Sequence, residues 1–251
     1  MIHAQLETLS KTKAKKLRKL GVQIVGDVNF SEKPARPSLT LKDIRPKTIN
    51  QNKIFKAWNA GRQIFAHGYP GTGKTFLALY LALNDILNKN SGQRIVIVRS
   101  AVPSRNIGFM PGSKDEKMAV YEGPYISICG ELFGRGDAYQ QLKQKKIIEF
   151  LPTSFNRGLT LNDTIFIVDE TQNLSFNELD TTITRVGENS RIIFCGDHRQ
   201  SDFIYEDDAE GLHKFMKVIR RMDEFSFFEL GIEDIVRSGL VKNYIIAKMN
   251  K

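Results

Sequence analysis

The stretch HGYPGTGKTFLA, residues 67–78, decides how this chain is read. Gly68, Gly71 and Gly73 are followed by Lys74 and Thr75, and an apolar run begins immediately after them. The spacing is that of a phosphate loop, G-x-x-x-x-G-K-[ST]. Its chemistry needs these residue types. Glycines let successive backbone N–H groups curl around a phosphate, and the N-terminus of the following helix adds its positive dipole end. A lysine at position 74 reaches the β- and γ-phosphates, and the Thr75 hydroxyl is placed for Mg²⁺. Gly68, Tyr69, Pro70, Gly71, Thr72, Gly73, Lys74, Thr75 and Phe76 are therefore the expected nucleotide contacts.

Reading outward from the loop, QIFAH (63–67) before it is a short buried strand, and KTFLALYLALNDIL (74–87) after it is an apolar helix. INQNKIFKAWNAG reads as a helix stopped by Gly61. RIVIVRS (94–100), IIEFL (147–151), TIFIVDE (164–170), RIIFCGD (191–197) and FSFFEL (225–230) are further strands. Helices are expected near 124–132, 136–145, 175–186 and 209–221, and a Gly/Pro-rich connection over 101–123. Short, almost continuously apolar strands separated by helices give an α/β fold. Its mainly parallel sheet has helices on both faces and ligands at the carboxyl ends of the strands. Residues 1–45, charged and proline-interrupted, read as a basic N-terminal arm, and 46–251 as the domain.

A phosphate loop needs acids at the end of another apolar strand, and IFIVDETQN (165–173) supplies them. Asp169 is placed to hold Mg²⁺ and Glu170 to orient and deprotonate an attacking water, so the pair points to hydrolysis. In RIIFCGDHRQ (191–200), Gln200 or Asp197 is a candidate sensor of the γ-phosphate. The N-K-x-D pattern of guanine readers is missing, since NKNS at 88–91 has the wrong last residue. ATP with Mg²⁺ is the expected ligand.

The formal net charge of +9 is compatible with a nucleic-acid partner, and KTKAKKLRKLG (11–21) concentrates it locally. No apolar stretch is long enough to span a bilayer, and the first residues lack a secretory signal's apolar core. Cys129 and Cys195 are too few for a disulfide framework, and Cys195 reads as a small buried residue. The expected location is cytoplasmic, without a membrane partner.

From Thr48 to Asn250 the chain resembles the PhoH family of superfamily-1-helicase-like ATPases, and in its short form the bacteriophage copies. The resemblance rests on an ordered set: TINQ (48–51), GYPGTGKT (68–75), RIVIVRSAV (94–102), GFMPG (108–112) and FNRGLTL (155–161). It continues with IFIVDETQN, TRVGENSRIIFCGDHRQ (184–200), EGL (210–212) and DIVRSGLV (234–241). Ser100 stands where the family has proline, and SDFIYEDD (201–208) lacks the family's proline. The resemblance implies a single RecA-like P-loop ATPase domain. It also implies an adenine-reading role for Gln51 and a γ-phosphate role for Arg237, with Arg185 as a second candidate.

Superfamily-1 helicases place two such domains around one ATP, whereas this length holds one. A ring or other homo-oligomer, with an arginine supplied in trans, is the corresponding expectation. RNA or single-stranded DNA is the expected partner of a helicase- or translocase-type motor. Arg99 and Arg105 flank the backbone-contact loop, and Tyr121, Tyr125 and Phe155 are weighed as base-stacking residues. A nucleotide-gated scaffold acting on a protein partner stays open as an alternative, and an ATP-dependent ribonuclease is the least favoured.

Overall fold

The computed structural model describes residues 39–100, 114–153, 160–197 and 206–249. Residues 1–38 of the N-terminal arm, Arg105, Phe155 and Gln200 lie outside the described residues. From Thr40 onward the chain forms one compact unit.

Helix α1 (Ile49–Asn59) begins where the Thr48 hydroxyl accepts from the Gln51 N–H, capping one of the orphan donors of its first turn. Strand β1 (Gln63–Gly68) follows, then α2 (Lys74–Leu87) and β2 (Arg94–Arg99). Next come α3 (Lys114–Phe133), α4 (Ala138–Gln144), β3 (Ile148–Pro152) and β4 (Thr164–Val168). The last third holds α5 (Phe176–Ile183), β5 (Arg191–Gly196), α6 (Glu206–Ile219), β6 (Phe225–Leu230) and α7 (Gly239–Met249).

All six strands pair in parallel, in the order β3-β2-β4-β5-β1-β6. One strand, β5, therefore lies between β1, which feeds the phosphate loop, and β4, which ends in the acid pair. The register sets Ile167 of β4 against Ile193 of β5 and Ile193 against Ile64 of β1. Strand alternation sends Phe65, Val96, Val98, Phe166 and Phe194 to one face, where Leu179 of α5 and Leu212 and Phe215 of α6 complete a buried cluster. The intervening Ile64, Ile95, Ile97, Ile165, Ile167 and Ile193 are equally buried. Helix α2, packed on β4 and β5 with Leu77–Leu83 buried, explains why that segment is apolar nearly all round. The architecture is the α/β fold with a parallel sheet expected from the strand pattern. Cys129 and Cys195 are both buried and unbridged.

Two elements differ from the expectation. Helix α3 starts at Lys114 and runs through Pro124, so the last part of the expected connection is helical. Pro124 removes the hydrogen bond to the carbonyl of Val120. Val120 lies on the exposed side of the helix, which is where such a loss is tolerated. Helix α7 was not legible as a helix, because its apolar residues follow no 3.6-residue stripe; none of those whose burial is described is buried.

A buried polar cluster ties the amino ends of the strands together. Asp85, on α2, accepts from Trp58 Nε1 at 2.9 Å and from Arg191 at 3.0 Å. The Arg191 guanidinium also lies 3.2 Å from the centre of the Trp58 ring and donates to the carbonyls of Trp58 and Arg62. Lys89 completes the cluster as an ion pair at 2.7 Å.

Candidate nucleotide-binding site

The loop between β1 and α2 is shaped by contacts that only glycine permits. At Gly68, φ is +125°, and a Cβ would sit 2.2 Å from the Leu230 carbonyl oxygen at the end of β6. The Tyr69 N–H donates to that same carbonyl at 3.0 Å, so the loop is laced flush against the strand end. At Gly71, φ is +76°, and a Cβ would lie 2.7 Å from Cγ of Arg237. Gly68→Ala is expected to cost about 1–3 kcal/mol in backbone strain alone. Relief of the clash must also displace the loop, so nucleotide affinity is expected to fall more than about tenfold. Circular dichroism and a titration with a fluorescent ADP analogue check this, and unchanged affinity would mean the loop is not where phosphate binds.

Lys74, the first residue of α2, turns back over the loop. Its Nζ donates to the carbonyls of Gly68 at 2.8 Å and Tyr69 at 2.7 Å. Burial pushes its pKa below the usual lysine range, while the carboxylates of Asp197, Glu170 and Asp169 pull the other way. The Thr72 hydroxyl donates to the Tyr69 carbonyl, closing the turn from inside.

Gln51 is buried beneath the loop. Its Nε2 donates to the Thr72 carbonyl at 3.1 Å, and its Oε1 accepts from the Lys47 N–H at 2.7 Å. One amide hydrogen and one lone pair are thus committed to backbone, which leaves one of each for a base edge.

Asp169 follows β4, and its backbone N–H still donates to the Val98 carbonyl at 2.9 Å. Thr75 Oγ1 donates to its Oδ1 at 2.8 Å and the Tyr125 hydroxyl to its Oδ2 at 3.0 Å. Burial raises the Asp169 pKa, helped by the neighbouring Glu170 charge. The Thr75 bond, the Arg99 guanidinium and the Tyr125 bond work against the rise. Glu170 adopts a left-handed backbone, φ 53° and ψ 46°, uncommon for a side-chain-bearing residue and a form of strain concentrated at functional sites. Its carboxylate accepts from Nε2 of Gln172, whose Oε1 in turn accepts from the Asp197 N–H at 2.8 Å.

These groups share one cleft of about 580 Å³ at the carboxyl ends of the strands. Gln51, Pro70, Gly71, Gly73, Lys74, Thr75 and Phe76 line it, with Asp169, Glu170, Asp197 and Arg237. Gly68, Tyr69 and Thr72 do not; they hold the loop's shape from behind. ATP and Mg²⁺ fit this donor set. A glycine loop ending at a helix N-terminus faces the cleft with Lys74, and a buried, charge-strained carboxylate stands beside the Thr75 hydroxyl.

Four expectations are revised by placement. Arg237 is exposed, and its stem packs on Gly71 of its own chain, with the Val236 N–H donating to the Gly71 carbonyl at 3.0 Å. Arg185 lies away from the cleft, its carbonyl accepting from the Leu161 N–H. Tyr125 is fully buried on Asp169 and stacks on no base. Arg99, expected on a nucleic-acid loop, lines the cleft instead, because β2 ends beside Asp169. Gln172, which is not among the expected site residues, stands two residues beyond Glu170, so its nearness to the acids is a local signal. The Tyr125–Asp169 bond joins residues 44 apart and leaves no local signal.

The family model described as "PhoH-like protein" matches residues 43–249. The chain is 32% identical over 207 residues to the PhoH-like protein of Mycobacterium tuberculosis (strain H37Rv), a match covering 82% of this chain and 58% of that one. Against the PhoH-like protein of Bacillus subtilis the identity is 33% over 207 residues, covering 82% and 64%. The chain thus spans roughly three-fifths of these relatives' length. Among solved structures, the large terminase of a thermophilic bacteriophage in complex with ADP gives a TM-score of 0.43 at 12% identity, covering 79% of this chain and 49% of that one. Bacteroides Pif1 bound to ssDNA gives 0.36 at 14%, covering 75% and 42%. On the family match across most of its length, the chain belongs to the PhoH-like family.

Proposed function

We propose that this protein binds and hydrolyses ATP with Mg²⁺ and couples hydrolysis to RNA or single-stranded DNA. The observation that carries the reading is the joining of the phosphate loop to the acid strand by the 2.8 Å bond between Thr75 and Asp169, with Lys74 and Glu170 in the same cleft. The Thr75 hydroxyl and the Asp169 carboxylate would hold the cation. A divalent cation there supplies charge neutralisation of the phosphates. Lys74 would bind the β/γ-phosphates, giving up its loop carbonyls for them. Glu170, fixed by Gln172, would orient the attacking water and take its proton. Arg237, above Gly71, would offset charge at the γ-phosphate from the same chain.

Gln51 supports the adenine assignment through its uncommitted amide hydrogen and lone pair. A sensor role for Gln200 and a nucleic-acid contact through Arg105 remain part of the proposal. The link to nucleic acid is supported by the +9 charge. Among the described residues no helix is long and apolar enough to cross a membrane.

Steady-state ATP hydrolysis with and without single-stranded RNA and DNA tests the coupling, with Lys74→Ala as control. Stimulation several-fold by one polynucleotide is the expected result and names the substrate. Hydrolysis indifferent to both favours the second reading, a nucleotide-gated scaffold. That reading is supported by α7, which begins two residues beyond Arg237 and exposes Leu240, Val241 and Tyr244. A second copy of the chain bound there, next to the cleft, would give the homo-oligomer a nucleotide-sensitive contact. For the ribonuclease reading, no group of three His, Cys, Asp or Glu residues that could hold a metal ion occurs among the described residues.

A further inference from the structure

The Asp169 carboxylate is held by two elements, not one. Thr75 on α2 takes Oδ1, and Tyr125 on α3 takes Oδ2. Tyr125 is wholly buried, with its ring centre 5.9 Å from that of Phe150 on β3. Packing of that kind is served as well by phenylalanine, and a buried hydroxyl costs its desolvation unless it is bonded. The hydroxyl is therefore explained by its partners: it donates to the carboxylate beside the phosphate loop and accepts from the Arg99 guanidinium at the end of β2. Two donors on opposite oxygens fix the plane of an aspartate, whose terminal torsion is otherwise broad. Helix α3 also builds the cleft wall on this side, through Pro124, Ser127 and Ile128.

We propose that the Tyr125 hydroxyl is a positioning group that sets Asp169 for divalent-cation binding and ties the α3 wall of the cleft to the cation-loaded state. The inference rests on the metal–nucleotide reading above. Thr75 would serve the cation as well as Asp169, so among the described hydrogen bonds Tyr125 is the side-chain donor left to the carboxylate. A cation drawing on Asp169 then also draws on α3, through the bond that Tyr125 makes to the same carboxylate. Pro124, one residue before Tyr125, interrupts the helix ladder at this point and lets the wall adjust without breaking a further bond.

The test uses the full chain and a fluorescent ADP analogue, titrated in EDTA and again with increasing MgCl₂. Tyr125→Phe removes only the hydroxyl. Its affinity in EDTA is expected to match that of the unaltered chain, while the MgCl₂ midpoint rises about 10- to 100-fold, as for loss of an outer-shell partner of a metal ligand. A midpoint unchanged within about twofold would overturn the proposal, and so would an equal loss of affinity with and without Mg²⁺, the signature of a merely structural role. A second readout needs no variant: amide exchange over residues 124–133 in the unaltered chain should be slower with ADP and Mg²⁺ than with ADP in EDTA. Equal exchange in the two states also counts against the tie to α3, even if Tyr125→Phe does not fold. If the unaltered chain shows no Mg²⁺ effect on ADP binding, the metal–nucleotide reading itself fails and the proposal falls with it.

Discussion

Glu170→Gln is expected to bind ATP as the unaltered chain does and to hydrolyse it about 10²- to 10⁴-fold more slowly. The substitution keeps the side chain's size and its ability to accept from Gln172, so the left-handed turn at residue 170 stays supported. What it removes is the basic oxygen that would take the proton from water. A loss confined to kcat marks an interaction made only in the transition state. Lys74→Ala should behave differently, because an ammonium that contacts phosphate in ground and transition states alike contributes to binding as well as to rate. Its signature is a fall in affinity together with turnover. Single-turnover hydrolysis and equilibrium binding separate the two variants. If Glu170→Gln kept full turnover, the base would have to be sought elsewhere in the cleft, with Asp197 the next carboxylate along.

Replacing Asp85 with alanine should be strongly destabilising, by up to about 3–5 kcal/mol, because it leaves a partly buried guanidinium without its counter-charge. Asp85 is the shared acceptor of Trp58 Nε1 and Arg191 Nη1; both would lose it, and only Arg191 keeps other acceptors, the carbonyls of Trp58 and Arg62. Burial already lowers the Arg191 pKa, and Asp85 is what opposes that shift. Lys89 belongs to the same cluster but is half exposed, so Lys89→Ala should cost less than about 1 kcal/mol. Asp85→Leu combined with Arg191→Met should recover much of the loss, since a buried ion pair is often replaceable by apolar residues of similar volume. For a chain of this size 3–5 kcal/mol corresponds to a fall in Tm on the order of 10 °C. Thermal unfolding of these variants checks the ordering, and a mild Asp85→Ala phenotype would show that water reaches Arg191.

The phosphate loop and the two acids were legible in the sequence because their chemistry demands residues adjacent in the chain. The strands were legible because a sheet covered on both faces needs nearly unbroken apolar runs, as in RIVIV and TIFIV. Pro124 hides α3 in the sequence: a proline lowers the expectation of helix, yet its cost is reduced where the residue four back is exposed and water can bond the freed carbonyl. Helix α7 carried no stripe to read, because among the described residues no face of it is buried.

By itself, then, the sequence determined the α/β class, the parallel sheet and the loop and acid motifs, since each follows from local periodicity or from spacing along the chain. Only the tertiary structure decided that Arg237 packs on Gly71 of its own chain and that Arg99 lines the cleft with the acids. It alone showed that Tyr125 bonds Asp169 rather than a base. Those contacts join residues far apart in the chain, and their geometry comes from strand order and the crossing of helices over strand ends. No spacing along the chain records that.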